Sequence, residues 1–312
     1  MIHWGINALN HGHSIAVFKD DQFVDNYVGA GDELSSDTTV KALGLGSPDR
    51  LFWYERPWIK KARQIRAGQF KTAMNLNVLP SRYMEQFKYA PITYTAHHAS
   101  HAAAGYYTSP FDKCVTVVVD AIGEFECATI WYCANGKMKK IWSRSYPHSL
   151  GLFYSAFTKL CGLTPIKDEG ILEKMAEQGD KHRYKHHIRN YMGGILTAYK
   201  NMHRGINDWP HDIRNLQDQC DIAAAVQAEF EDQTSLIMLQ AAVMTQAQSI
   251  VYMGGCAMNK TANKRIVEPM FKYRWSLPNP GDPSSSIGAV LYHTKEKIKW
   301  TGPLAKHIEI NT

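Results

Sequence analysis

The chain has no CxxC pair. Its six cysteines, at positions 114, 127, 133, 161, 220 and 256, are scattered, so no disulfide framework or paired-thiol motif can be read, and they fit reduced thiols in a cytoplasmic protein. No apolar run approaches the ~20 residues needed to span a bilayer. The start, MIHWGINALNHGHSIAV, lacks the basic-then-apolar layout of a secretory signal, so no membrane role is expected. GxGxxG, a Walker loop, a nucleophile elbow and a Ser-His-Asp spacing are all missing, which removes the usual signatures of dinucleotide, P-loop and serine-hydrolase chemistry. There is no low-complexity tract and no flexible linker.

What is present is an ordinary globular composition over 312 residues, 45% hydrophobic and 21% charged, enough for two lobes. The net charge of +6 permits a polyanionic partner without requiring one. Basic residues gather in RPWIKKARQIRAGQFK (56–71) and KHRYKHHIRNY (181–191), which read either as solvated helix faces or as a polyanion surface.

The first thirty residues read as strand, turn, strand, turn, strand, and the pattern returns from TVVVD onward. A shift of 113 positions aligns the copies without a gap, setting Asn7 against Asp120, Val17 against Ile130 and Phe18 against Trp131. Two lobes that each open with an antiparallel meander describe the actin-like sugar-kinase architecture, an α/β fold of two duplicated ribonuclease-H-like lobes around a cleft. The expected division is 1–112 and 113–312, with the last helix able to pack back on the first lobe. Residues 221–248 carry the apolar period of a long helix, with Asp221 in the N-cap position.

Four places carry residues suited to chemistry. In TAHHASHAAAGYY (95–107), His97 and His101 are four apart, so on a helix both rings share one face. They suit a metal pair or a hydrogen-bonded histidine face. The first turn, NHGHS, offers His11, His13 and Ser14. In the second, DAIGEFE, Asp120 ends an all-apolar strand, where a carboxylate needs a cation or the N–H groups of its own turn. Gly254 and Gly255 in MGGCAMN allow close approach of a ligand, or simply make a strand–helix turn. Asp282, in a Gly-Asp-Pro turn before a helix, is a cap or a fourth ligand.

HHASHAAAGYYTSPF, VVVDAIGE, SLGLFYSAFTKLCGL, DIAAAVQ, MGGCAMNKTANKRI and PGDPSSSIGA occur in this order. Together they resemble the N-terminal, Kae1-like domain of the nodulation- and antibiotic-type O-carbamoyltransferases, from residue 1 to about residue 305. The resemblance implies transfer of a carbamoyl group from carbamoyl-adenylate, made from carbamoyl phosphate and ATP, to an acceptor hydroxyl. It implies a divalent metal, typically iron, on His97, His101, Asp120 and Asp282. By the same resemblance Gly254, Gly255, Asn259, Glu169 and Gly151 fall on nucleotide positions. His11 falls on the histidine placed as base toward the acceptor, with His13 the alternative because Gly12 replaces an aspartate. EGILEKMAEQG (169–179) lacks the family's lysine.

The resemblance also implies a donor-making domain beyond this one, so a separate carbamoyl-adenylate-forming protein is an expected partner. Relatives tied to phage base modification suggest a hydroxymethyl pyrimidine of DNA as acceptor, with Lys60, Lys61 and Arg63 on phosphates and Trp53, Tyr54, Trp58 or Tyr184 stacking a base. A small-molecule sugar acceptor, threonylcarbamoyl transfer to tRNA, and an inactive ATP-binding module are the alternatives.

Overall fold

The computed structural model describes residues 1–9, 12–29, 44, 46–85, 88–194, 200, 202–300 and 306–307. Two sheets organise them. The first holds β1 (Ile2–Asn7), β2 (His13–Lys19), β3 (Gln22–Gly29), β4 (Arg50–Trp53) and β5 (Ile92–Tyr94), with β11 (Lys306–His307) at its edge. The second holds β6 (Lys113–Gly123), β7 (Glu126–Ala134), β8 (Lys137–Ser145), β9 (Ser249–Met253) and β10 (Tyr273–Trp275). The order 3-2-1-4-5 in one becomes 8-7-6-9-10 in the other.

The duplication extends to individual residue pairs. Across β1 and β2, Trp4 faces Val17, Gly5 faces Ala16 and Ile6 faces Ile15. Moved on by 113 positions, these become Val117 with Ile130, Val118 with Thr129 and Val119 with Ala128, which are the observed partners across β6 and β7. Both central strands then take a parallel neighbour, β4 or β9. The β-branched run Val115–Val119 is buried throughout, as expected for a strand covered on both faces.

Seven longer helices accompany the sheets: α1 (Pro57–Arg66), α2 (His97–Thr108), α3 (Leu150–Leu160), α4 (Glu169–Met175), α5 (Lys181–Met192), α6 (Leu216–Thr245) and α7 (Ser285–Thr294). Every residue of α2 is buried. It packs on β6 and β9 on one side and on α7 on the other, while α7 also lies on β1. The small residues of HHASHAAAG make this possible. At Gly288 of α7 a Cβ would stand 1.7 Å from the Ser100 carbonyl oxygen, so only glycine admits this helix contact.

One helix start differs from expectation. α6 begins at Leu216, and its N-cap is Asn215, whose side chain accepts from the Asp218 N–H. Asp221 lies inside the helix, where it accepts from the Asp180 N–H and the Arg183 guanidinium. Among the described residues no helix is long and apolar enough to cross a membrane.

Candidate metal centre

Helix α2 starts directly after β5, and its first turn places His97 and His101 one above the other. Their Nε2 atoms are 3.1 Å apart. β6 delivers Asp120 to the same point, with Oδ2 at 3.1 Å from His97 Nε2 and 3.6 Å from His101 Nε2. The turn before α7 delivers Asp282, with Oδ1 at 3.2 Å from His101 Nε2 and 3.4 Å from His97 Nε2. One donor atom from each of the four residues lies within 4.8 Å of the other three. Asp282 caps no helix through its side chain.

The spacing fits a cation. Metal bonds of about 2.0–2.2 Å separate neighbouring ligand atoms by roughly 3.0–3.6 Å, the range of the separations that involve a histidine nitrogen here. Two imidazole nitrogens 3.1 Å apart share at most one proton between them. The chemistry of the set, two nitrogens and two carboxylate oxygens, suits a first-row divalent ion. Among the described residues the Nδ1 atoms of both histidines have no hydrogen-bond partner, so packing orients the rings. Tyr54 stands edge-on to His97 at 5.3 Å between centroids. Gly123 lies so close that a Cβ would come within 2.2 Å of His97 Cδ2.

The N–H reading of Asp120 describes one oxygen, and the other faces the two histidines. Oδ1 accepts from the Ala121 N–H at 2.8 Å and the Gly255 N–H at 3.3 Å, which leaves Oδ2 for the cluster. The glycine pair thus backs Asp120. The Gly254 N–H donates to the Pro280 carbonyl, and Gly254 takes φ +90° against the Val119 carbonyl.

The protonation pattern follows from burial and charge. Burial alone lowers the His97 imidazole, but Asp120 and Asp282 outweigh it and hold the group well above its ordinary value. His101 is raised in the same way, more weakly. Burial raises Asp120, and the two histidines reverse this and hold it well below the carboxylate range. The third histidine, His98, is different. Burial and the neighbouring His97 push it well down, so it stays neutral, and its Nδ1 meets Thr129 Oγ1 at 3.0 Å.

The remaining expected residues are spread around this centre. His11 lies outside the described residues. His13 opens β2, buried beside Tyr83. Its turn abuts the Asp282 turn, because Ser14 Oγ donates to the Pro283 carbonyl at 2.7 Å and Gly12 packs on Pro283. Gly151 lets the first turn of α3 sit on the backbone of Asp120 and Ala121, where Ser149 Oγ also donates to the Ala121 carbonyl and accepts from the Leu152 N–H. Glu169 accepts from Ser155 and from the Ile166 N–H. Asn259 exchanges two hydrogen bonds with Gln227 and caps Ala262. Gln227 lines a cavity of about 210 Å³ together with Glu173, Thr261 and Arg265.

Several cations of the two basic segments are engaged within the fold. Arg56 grips Glu124 of the β6–β7 turn through its N–H and its guanidinium. Lys60 pairs with the buried Glu55 at 2.7 Å, and Lys61 donates to the carbonyls of Ala73 and Asn75. On α5, Arg183 pairs with Asp218 and Asp221, Lys185 with Asp232, and Arg189 with Glu229. Trp53, Tyr54 and Tyr184 are core residues and so offer no face to an extruded base; of the four aromatics, Trp58 alone is exposed. Sequence reasoning set Tyr54 on a base-stacking surface, and it missed Ser149 and the Arg56–Glu124 bridge. The last had a signal, a Glu in the second turn and an Arg before a Pro-initiated helix.

A family model described as carbamoyltransferase N-terminus matches residues 21–291. The chain is 29% identical over 222 residues to the uncharacterised protein sll1178 of Synechocystis, covering 64% of this chain and 36% of that protein. It is 22% identical over 221 residues to nodulation protein NolNO of Sinorhizobium fredii, covering 66% and 32%. It therefore spans about a third of the length of these two relatives. In fold it is similar to the activator of 2-hydroxyisocaproyl-CoA dehydratase from Clostridium difficile with bound ADPNP (TM-score 0.51, 12% identity, 97% of this chain and 100% of that). It is also similar to full-length HypF in a phosphate- and nucleotide-bound form (TM-score 0.50, 12% identity, 94% and 55%). These likenesses show the actin-like ATPase and sugar-kinase fold, and the match over most of its length shows that the chain belongs to the carbamoyltransferase N-terminal domain family.

Proposed function

We propose that this domain carries out O-carbamoyl transfer from carbamoyl-adenylate to an acceptor hydroxyl, at a divalent cation held by His97, His101, Asp120 and Asp282. The observation that carries the reading is the convergence of two Nε2 atoms and two carboxylate oxygens within 4.8 Å, in a member of this family. Iron is the metal we assign, on the family resemblance. When bound, such a cation supplies a Lewis acid for the carbamoyl carbonyl or the adenylate phosphate.

The chain's own residues do the rest. A histidine of the first turn, His11 or His13, takes the proton of the acceptor hydroxyl. The acceptor oxygen then bonds to the carbamoyl carbon. The carbon–oxygen bond to the phosphate breaks, and AMP leaves with the electron pair. Asp120 stays ionised because His101 and His97 outweigh the cost of its burial, while two N–H groups hold its other oxygen in place. The cavity beside Gln227 takes the nucleoside, with Asn259 acting through Gln227. Packing of the lobes excludes the water that would hydrolyse the donor. The donor itself is made at another active site, by a separate carbamoyl-adenylate-forming protein or domain. A hydroxymethyl pyrimidine of DNA as acceptor rests on the net charge of +6, on the exposed Trp58 and on Arg63, since Lys60, Lys61, Trp53, Tyr54 and Tyr184 are used within the fold.

The test supplies carbamoyl-adenylate and iron(II) to the purified protein with a panel of hydroxyl acceptors, and follows the products by mass spectrometry. One carbamoyl added per acceptor, with equal AMP release, is the expected result. AMP release with no carbamoylated acceptor, unchanged by Asp120→Asn, would overturn the reading.

A further inference from the structure

Arg63, in the third turn of α1, is 6% exposed. Its guanidinium makes no hydrogen bond or ion pair among the described residues, and its Nε is buried without an acceptor. A buried guanidinium nitrogen without an acceptor is costly, and here Nε bears that cost while the terminal nitrogens keep access to solvent. Its electrostatic neighbours are Glu55, Tyr146 and Cys127. None of them makes a hydrogen bond or ion pair with it, and the one acid among them is shared. Glu55 is already paired with Lys60 at 2.7 Å. Tyr146 brings a phenol, and burial pushes the Cys127 thiol up to about 12, so both are neutral.

The place is specific. Cys127 feels both Asp120 and Arg63, and Glu55 follows Tyr54, whose ring touches His97. Arg56 ties the start of α1 to Glu124 of the β6–β7 turn, and the neighbouring Gly123 packs on His97, so Arg63, two turns along α1, lies on the side of the candidate metal centre that α1 covers. The cavity assigned above to the nucleoside is lined by α4, α6 and the Thr261 turn and includes none of these residues.

We propose that Arg63 anchors a phosphate group carried by the acceptor, so that the hydroxyl to be carbamoylated belongs to a phosphorylated molecule. A planar, permanently charged fork suits a phosphate. This rests on the transfer reading for the word acceptor, but the anion site itself is testable without turnover.

The first experiment titrates inorganic phosphate into the wild-type protein and into Arg63→Gln, reading melting temperature and calorimetric heat. Phosphate should raise the wild-type melting temperature and leave that of R63Q unmoved, while R63Q without phosphate melts no lower than wild type, because an unanswered buried charge is gone. Arg63→Lys, which keeps the charge and loses the fork, should bind phosphate at least about tenfold more weakly. No response in the wild type, or an equal response in R63Q, overturns the site. So does an R63Q that melts lower while phosphate still binds, which would mark Arg63 as a structural cation.

The second experiment compares 5-hydroxymethyl-2′-deoxycytidine with its 5′-monophosphate as displacers of phosphate. The monophosphate should displace it and the nucleoside should not. Displacement by carbamoyl phosphate but not by the monophosphate would move the site to the donor and overturn the acceptor assignment. Phosphate binding at Arg63 without carbamoyl transfer to any acceptor would count against the transfer reading and leave the anion site standing.

Discussion

The two hairpin turns sit 113 residues apart at equivalent places in matching sheets, yet they do different work. Asn7 ends β1 and Asp120 occupies the corresponding place on β6. Asn7 donates through Nδ2 to the Gly12 carbonyl at 2.7 Å, closing its own turn. Asp120 has no donor to spend. Its Oδ1 is held by the N–H groups of Ala121 and Gly255, and its Oδ2 is turned to the histidines. The exchange of an amide nitrogen for a carboxylate oxygen separates a turn that braces itself from a turn that presents a charge to two histidines.

The sharpest way to break this contrast is to make the second turn like the first. Asp120→Asn should cut metal affinity by more than about 100-fold, beyond the usual effect of losing an outer partner, and abolish transfer. His101→Ala should do the same. Metal analysis and melting curves with and without chelator check both; at 100 times its Kd a cation adds about 2.7 kcal/mol of stability, and that increment should be lost in either variant.

A milder intervention leaves Asp120 in place and disturbs what holds it. A Cβ at Gly255 would stand 3.0 Å from Asp120 Oδ1, so Gly255→Val should displace that oxygen and lower metal affinity about 10–100-fold. Unchanged affinity, measured by competition with a chromophoric chelator, would remove the glycine pair from the ligand's support.

The pH dependence has a definite sign. In the metal-free protein the carboxylates hold a proton on His97 well above its ordinary value, so the contribution of that proton is whole below about 6.5 and fades as pH rises through the folded value. The contribution of Asp120, whose folded value is depressed, is whole above about 3.9 and fades as pH falls through the folded value. A cation must displace the His97 proton. Apparent metal affinity should therefore rise with pH through neutrality, with proton release on loading, and the gap between metal-loaded and chelated melting temperatures should widen. Calorimetry in buffers of different ionisation heat gives the proton count.

The smallest effect belongs to the first turn. Asn7→Asp removes the donor to Gly12 without creating a ligand set, and should cost about 1–3 kcal/mol of stability with no gain in bound metal.

How much of this was legible depended on range. The duplication was, because strand register is a local pattern repeated at a fixed interval, and the 113-residue shift reproduced the pairing of Val117 with Ile130 and Val119 with Ala128. The His97 and His101 spacing was legible from helical geometry. Asp120 and Asp282 came from the ordered motifs, since residues 162 positions apart meet only through the fold. The fate of the basic residues was not legible. Lys60, Arg183 and Arg189 look solvated in sequence, and only tertiary contact shows their acids, which lie at the helix start or on α6. Trp53 and Tyr54 read as surface aromatics beside lysines, yet β4 is covered on both faces. The start of α6 was misplaced because Asp221 and Asn215 are both capping residue types, and the choice was made by Arg183 drawing Asp221 inward.

Helix α7, which lies on β1 and against α2, gives the molecule a direction of assembly. The surface it covers is made early in synthesis, and the cover is made late. Until Ser285–Thr294 emerges from the ribosome, the inner face of β1 and one side of α2 have no apolar partner. The second sheet, whose strands and long α6 are complete by Trp275, can close first, and the earlier-made sheet is finished last. Such non-local closure is slow and leaves apolar surface exposed while it waits. An arrested chain ending near Trp275 would therefore hold a finished rear half and an open front half, the reverse of the order in which it was translated.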